Sequence, residues 1–166
     1  MPQRPFHQVR HPSFDETCGV CTSLVGPTAA RALFQNELWS VQHMDAPYGV
    51  AGWMMLISQR HVGGPAHFDD REAASFGPTL RHLERTLERV TGAVRIYTAA
   101  MGESFAHLHC HMVPRYAETP KGAKAWGLFD LLRASGAGEI TVDPQEVQRL
   151  MDAYADALII DPPPAP

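Results

Sequence analysis

Residues 107–115 read His-Leu-His-Cys-His-Met-Val-Pro-Arg. Three histidines alternate with Leu108, Cys110 and Met112. Alternation at every second residue is the period of a half-buried β-strand; in a helix the same residues would scatter around the axis. On a strand, His107, His109 and His111 share one face, with neighbouring Cα atoms roughly 6.5–7 Å apart. Pro114 lacks a ladder donor, so the strand is expected to end or reach an edge there. Each neutral imidazole brings a donor and an acceptor that need partners. A row of three is therefore a costly way to fill a core. Two readings suit it better: a metal site, or a nucleophilic histidine flanked by helpers.

A chain of 166 residues suits a single domain with a real core. Lys and Arg total 14 against 18 for Asp and Glu, a formal charge of −4. With no basic stripe, a nucleic-acid backbone is not an expected partner. Small anionic ligands remain compatible, because backbone N–H groups hold phosphate without net positive charge. No apolar run reaches transmembrane length, so no membrane partner is expected. The first ten residues are polar and broken by proline, unlike an export signal, so a cytoplasmic location is expected. The three cysteines do not form a disulfide framework.

Residues 1–16 read as an irregular arm, with Pro2, Pro5 and Pro12 opposing a helix. Cys18-Gly19-Val20-Cys21 follows, half of a zinc site or a redox pair. The redox reading wants a strand ahead of the pair, and Pro12 to Thr17 is a poor one. The zinc reading needs two further ligands, either histidines or a histidine with Cys110. Residues 32–44 read as two short strands around the polar Gln35-Asn36-Glu37 turn. Gly52 to Ser58 is an apolar run of strand length and would lie at the centre of a sheet. Asp69 or Asp70 caps a helix running to about Val90, with Phe76, Leu80, Leu83, Leu87 and Val90 as its apolar stripe. Pro78 is expected to kink this helix or mark its start, and Gly92 to end it. Val94 to Thr98 alternates as a strand. Residues 126–132 suggest a short helix or a docking segment. Asp143-Pro144-Gln145-Glu146 is a helix start, with Asp as N-cap, Pro at the first position and Glu three residues on. Residues 162–166 read as a disordered or polyproline tail. The mixture has no regular βαβ alternation, so the expected class is α+β with an antiparallel sheet.

His107 to Pro114-Arg115 resembles the signature of the histidine triad superfamily, His-apolar-His-apolar-His-apolar-apolar, often followed by Pro-Arg. Upstream, Asp45-Ala46-Pro47, the apolar run and Gln59-Arg60-His61 resemble that family's Asp turn, core strand and basic-residue-then-His ending. Gly102-Glu103-Ser104 resembles its approach to the triad. The likeness covers about residues 18–116. It implies a five-stranded antiparallel sheet with a long helix packed on it, to which the reading above adds a C-terminal helix. Residues 1–161 would then form a single domain: the arm, a core over 17–116 and a C-terminal extension over 117–161. A homodimer is also implied.

The resemblance implies chemistry at the α-phosphorus of a nucleoside phosphate. His109 matches the nucleophile, and a neutral ring is available near neutral pH. His111 and Ser104 match positions that contact the phosphate or assist the leaving group. Asp45 matches a ribose-binding position, and Gly102 and Glu103 lie at the nucleotide. The zinc-containing branch carries over onto Cys18, Cys21, His61 and His107, a closed structural Zn2+ site with one ion per chain. Cys110 is expected to be a small buried hydrophobe. The chain also departs from the pattern. Glu103 stands where Gln is common, Trp53 where a His often follows the glycine, and Ser58 where proline is frequent. The link from Tyr97 to Gly102 is short. The expected function is a nucleoside-phosphate hydrolase or nucleotidyl transferase, acting on dinucleoside polyphosphates or nucleoside phosphoramidates through a nucleotidyl-histidine. The alternatives are a non-catalytic nucleotide-binding module and a metalloenzyme with its metal on the three histidines.

Overall fold

A computed structural model describes residues 10–29 and 31–166. The part of the expected arm over residues 1–9 lies outside them. Residues 10–18 contain no helix or strand. Two short helices follow, α1 (Gly19–Ser23) and α2 (Gly26–Ala29). The sheet is built from β1 (Phe34–Gln35), β2 (Trp39–His43), β3 (Met54–Ser58), β4 (Arg95–Ala99) and β5 (His109–Arg115). The long helix α3 (Asp70–Thr91) joins β3 to β4, and α4 (Leu128–Gly136) and α5 (Pro144–Ile160) complete the chain. Among the described residues the strands form one sheet, in the order β1-β2-β3-β5-β4, with every pair antiparallel. The α+β class and the five-stranded sheet are as the sequence predicts. No helix among the described residues is long and apolar enough to cross a membrane.

Local chemistry explains each element. The Asn36 side chain accepts from the Leu38 and Trp39 amides at 3.0 and 2.8 Å, which turns β1 into β2. Asp69 and Glu72 form a reciprocal capping box at the start of α3, and Gly92 ends it in the left-handed conformation. Pro78 lies inside α3 rather than at its start. Pro78 and Ala74 are exposed, so the Ala74 carbonyl deprived of an N–H partner faces water. Asp143 caps α5 and Pro144 opens it. The strand expected from Gly52 begins at Met54, with Gly52 in the preceding turn and Trp53 between the turn and the strand. β5 begins at His109, so His107 stands just ahead of the strand and not in it. β5 continues past Pro114 beside β4. The last β3 partner is Met112, so on that side Pro114 lies on an edge and no ladder bond is lost.

The sheet separates two cores. On one face Trp39, Val41, Met54, Leu56, Cys110 and Met112 meet Leu83 and Leu87 of α3 and Tyr154 and Leu158 of α5. Tyr154 is fully buried and its hydroxyl donates to the Leu83 carbonyl at 3.0 Å, tying the two helices. On the other face Val50, Trp53, Val113 and Leu128 are buried, flanked by Phe129, Leu131 and Leu132 of α4. Gly49 permits this packing: a Cβ there would sit 2.9 Å from the Leu132 backbone. In the 162–166 segment Pro163 is buried.

Arg60, at the end of β3, holds the start of α3. Its Nε and Nη2 donate to Glu72 at 3.0 and 2.5 Å, and Nη2 also reaches the His67 carbonyl. The Glu72 side chain is 1% exposed. Replacing Arg60 by Met strands a buried carboxylate and is expected to cost about 3 kcal/mol or more. Breaking the exposed Arg31–Asp45 pair by Arg31→Met is expected to cost less than about 1 kcal/mol. Denaturant unfolding of the two variants checks the contrast, and equal losses would contradict it.

Candidate active site and metal centre

Cys18 caps α1, its sulfur accepting from the Cys21 amide at 3.5 Å, which sets the two thiols one helical turn apart. His61 follows β3 and His107 precedes β5, so two adjacent strands bring their imidazoles to α1. Cys21 Sγ lies 3.2 Å from His61 Nδ1 and 3.3 Å from His107 Nδ1, and Cys18 Sγ lies 3.7 Å from His107 Nδ1. The ligand atoms of all four residues fall within 4.8 Å of one another. Tetrahedral zinc with ordinary Zn–S and Zn–N bonds separates its sulfur and nitrogen ligands by about 3.6 Å, so this set fits such an ion. The donor chemistry fits as well. His107 Nε2 donates to the Ser58 carbonyl at 2.8 Å, which leaves Nδ1 as a lone pair facing the sulfurs. Burial pushes the Cys21 thiol pKa up, with Cys18 adding to it and the Asp15 amide opposing; a bound cation reverses that balance. Ser13 belongs to the same neighbourhood, its hydroxyl accepting from the His61 amide at 2.9 Å.

The other two histidines form a different group. His109 pairs with Ile57 and His111 with Met55, on the sheet face opposite Cys110. His109 Nδ1 lies 2.7 Å from the His107 carbonyl. A carbonyl only accepts, so Nδ1 carries the proton and, in the neutral ring, Nε2 carries a lone pair. His111 Nδ1 accepts from the indole N–H of Trp53 at 3.1 Å. Its ring lies 5.3 Å from that of His109, edge to face. Burial, then the neighbouring His109, push the His111 pKa down to about 4. Cys110 is buried in the opposite core and burial raises its pKa to about 12, as suits an inert small hydrophobe. The three histidines do not converge as one metal site: His107 faces the cysteines, while the Nδ1 atoms of His109 and His111 are engaged elsewhere.

The remaining candidates lie on loops. Asp45 lies in the loop after β2, exposed, with its carboxylate 2.7 Å from Arg31. Gly102 adopts φ +63° in the loop leading to β5. Glu103 and Ser104 follow it and are exposed. No hydrogen bond among the described residues joins Asp45, Glu103 or Ser104 to the triad. Two site neighbours escape sequence reasoning. Trp53 is visible there only as a departure from a pattern, and Phe129 comes from the extension. Phe129 stacks edge-on against Trp53 at 5.4 Å and lies 6.1 Å from His111. The signal for Trp53 was strand parity, since it shares a face with Met55 and Ile57; using it requires the β3–β5 register.

Sheet order, long helix and histidine placement together define the histidine-triad fold. A histidine triad protein from Bradyrhizobium japonicum matches with TM-score 0.59 at 19% identity, over 76% of this chain and 88% of that one. A hypothetical histidine triad nucleotide-binding protein from Sulfolobus tokodaii matches with TM-score 0.57 at 14% identity, over 78% and 84%. A Zn-bound histidine triad family protein from Mycobacterium smegmatis matches with TM-score 0.51 at 17% identity, over 78% and 87%. No protein-family model matches the chain, and no curated protein matches it.

The depressed His111 pKa has a stability consequence. The unfolded chain protonates this ring near pH 6.5 and the folded chain only near pH 4, so acid favours unfolding. The contribution is complete above pH 6.5 and is lost as pH falls toward 4, roughly 3 kcal/mol in all. His43, also pushed down by burial, acts in the same direction. In thermal melts the wild type is expected to lose stability more steeply over this window than His111→Gln. Parallel curves would contradict the assignment.

Proposed function

We propose that this chain is a nucleoside-phosphate hydrolase or nucleotidyl transferase that works through His109. The observation that carries the reading is the 2.7 Å contact from His109 Nδ1 to the His107 carbonyl. It supports an imidazole held in one orientation, with Nε2 as the nitrogen left to act as nucleophile.

In this reading the Nε2 lone pair attacks the α-phosphorus in line. A P–N bond forms and the bond to the leaving group breaks, its electron pair departing with that group. The ring becomes a cation, and its Nδ1–H tightens against the carbonyl. Water then attacks phosphorus, the P–N bond breaks, its electrons return to Nε2 and the water proton leaves. A second acceptor in place of water gives transfer. His111 is assigned to the phosphate oxygens and Ser104 to the leaving-group side. Gly102 lets the loop backbone approach the phosphate, with Glu103 beside it. Asp45 is assigned to the ribose hydroxyls, exchanging Arg31 for them. Both partners of that pair are largely exposed, so the exchange costs little.

Cys18, Cys21, His61 and His107 would hold a structural zinc ion. The ion would supply no reacting group; through Cys18 and Cys21 it would join α1 and its cap to His107, whose carbonyl lies against His109. A homodimer is carried forward from the family likeness, and the mass of the species in solution checks it.

The non-catalytic alternative is separated by turnover. Wild-type protein is expected to consume a dinucleoside polyphosphate or a nucleoside phosphoramidate, and His109→Asn to lose at least about a thousandfold while keeping its melting temperature. Unchanged turnover in that variant would exclude the mechanism. Metal analysis is expected to give one zinc per chain, lost in Cys18→Ser/Cys21→Ser. Chelation is expected to lower both the melting temperature and turnover. Metal-free protein with unaltered stability would contradict the zinc assignment.

A further inference from the structure

Trp53 is fully buried immediately ahead of β3, and its indole N–H points at His111 Nδ1, 3.1 Å away. The rings meet edge to face at 5.7 Å and 82°. An indole nitrogen can only donate, so the nitrogen it faces must be the acceptor. With that lone pair committed, the single proton of the neutral His111 ring sits on Nε2. The indole has little freedom to turn away. Phe129 of the C-terminal extension stands edge-on against it, and Val50, Val113 and Leu128 close the same cluster.

We propose that Trp53 is a positioning residue that fixes His111 as a permanent hydrogen-bond donor through Nε2 and removes it from proton transfer. A second proton on His111 would have to go to Nδ1, where it would confront the indole N–H. Near neutral pH the ring is therefore not an imidazolium, and it has no proton to release to a leaving group without becoming an anion. It can still donate a hydrogen bond to a phosphoryl oxygen as negative charge develops there. This rests on the nucleotidyl-transfer reading, and it sharpens the substrate class. Groups that depart as stable anions, phosphate or a polyphosphate chain, need no proton from the protein. An alkylamine must be protonated as it leaves, and His111 does not supply that proton. The chain is thus a better catalyst for nucleoside polyphosphates than for nucleoside alkylphosphoramidates.

The tautomer is read directly, without any substrate. In 15N-labelled wild-type protein, the His111 ring is expected to give Nε2–H and unprotonated Nδ1 shifts, with a scalar N–N coupling across the hydrogen bond to the Trp53 indole. An Nδ1–H tautomer, or no coupling, overturns the proposal whether or not any variant folds. Trp53→Phe keeps the aromatic packing and deletes the donor. It is expected to give a mixed His111 tautomer and to raise the ratio of kcat/KM for an alkylphosphoramidate over a dinucleoside polyphosphate by roughly tenfold or more, because general-acid assistance returns. A merely structural role would lower both substrates together and leave the ratio unchanged, which overturns the proposal. Failure of the wild type to turn over either substrate, with the tautomer as expected, would refute the nucleotidyl-transfer reading and leave the Trp53–His111 assignment standing.

Discussion

One residue joins the two halves of the site. The ring of His107 is fully buried, with Nε2 bonded to the Ser58 carbonyl and Nδ1 turned to Cys18 and Cys21. Its own carbonyl accepts from His109. The ring is anchored to β3, and the carbonyl fixes the tautomer of the next histidine. A displacement of His107 would therefore be felt at His109 Nε2 even though the two rings serve different centres. Burial of a polar ring is tolerated here because both nitrogens have partners; left unpaired they would cost on the order of a few kcal/mol.

The sheet keeps these functions apart. Met54, Leu56, Cys110 and Met112 face α3 and α5 and make an apolar core. Met55, Ile57, His109 and His111 occupy the alternate positions and face the other way. Strand alternation thus gives one wholly apolar face and a second face on which His109 and His111 stand beside the smaller apolar cluster of Val50, Trp53, Val113 and Leu128. The extension contributes to the second face through Leu128 and Phe129, so residues beyond the triad strand shape the surroundings of His111.

Much of this was legible in residue order. Alternation at 108–112 identifies which side chains share a face, and Asp69 with Glu72, Gly92 and Asp143-Pro144 mark helix ends through chemistry local to a few residues. The Cys18–Cys21 spacing was legible as a pair of thiols one helical turn apart, able to face a common centre. What was hidden depends on register or on distant contacts. His107 stands outside the strand with its ring on Cys18, Cys21 and Ser58, contacts that no local pattern encodes. Trp53 meets His111 only once Met55 is paired with His111. Phe129 arrives from a segment without a recognisable pattern, and the Arg31–Asp45 pair joins residues on separate loops.

In the proposed reaction phosphorus is carried on Nε2 of His109. This is tested most directly by trapping the carrier. Wild-type protein would be mixed with a dinucleoside polyphosphate or nucleoside phosphoramidate and quenched during turnover. Digestion at neutral to alkaline pH preserves a P–N bond, and the peptides would then be mapped by mass. A nucleoside monophosphate attached to His109 is the predicted result. Rapid turnover with the adduct on a different residue would contradict the account.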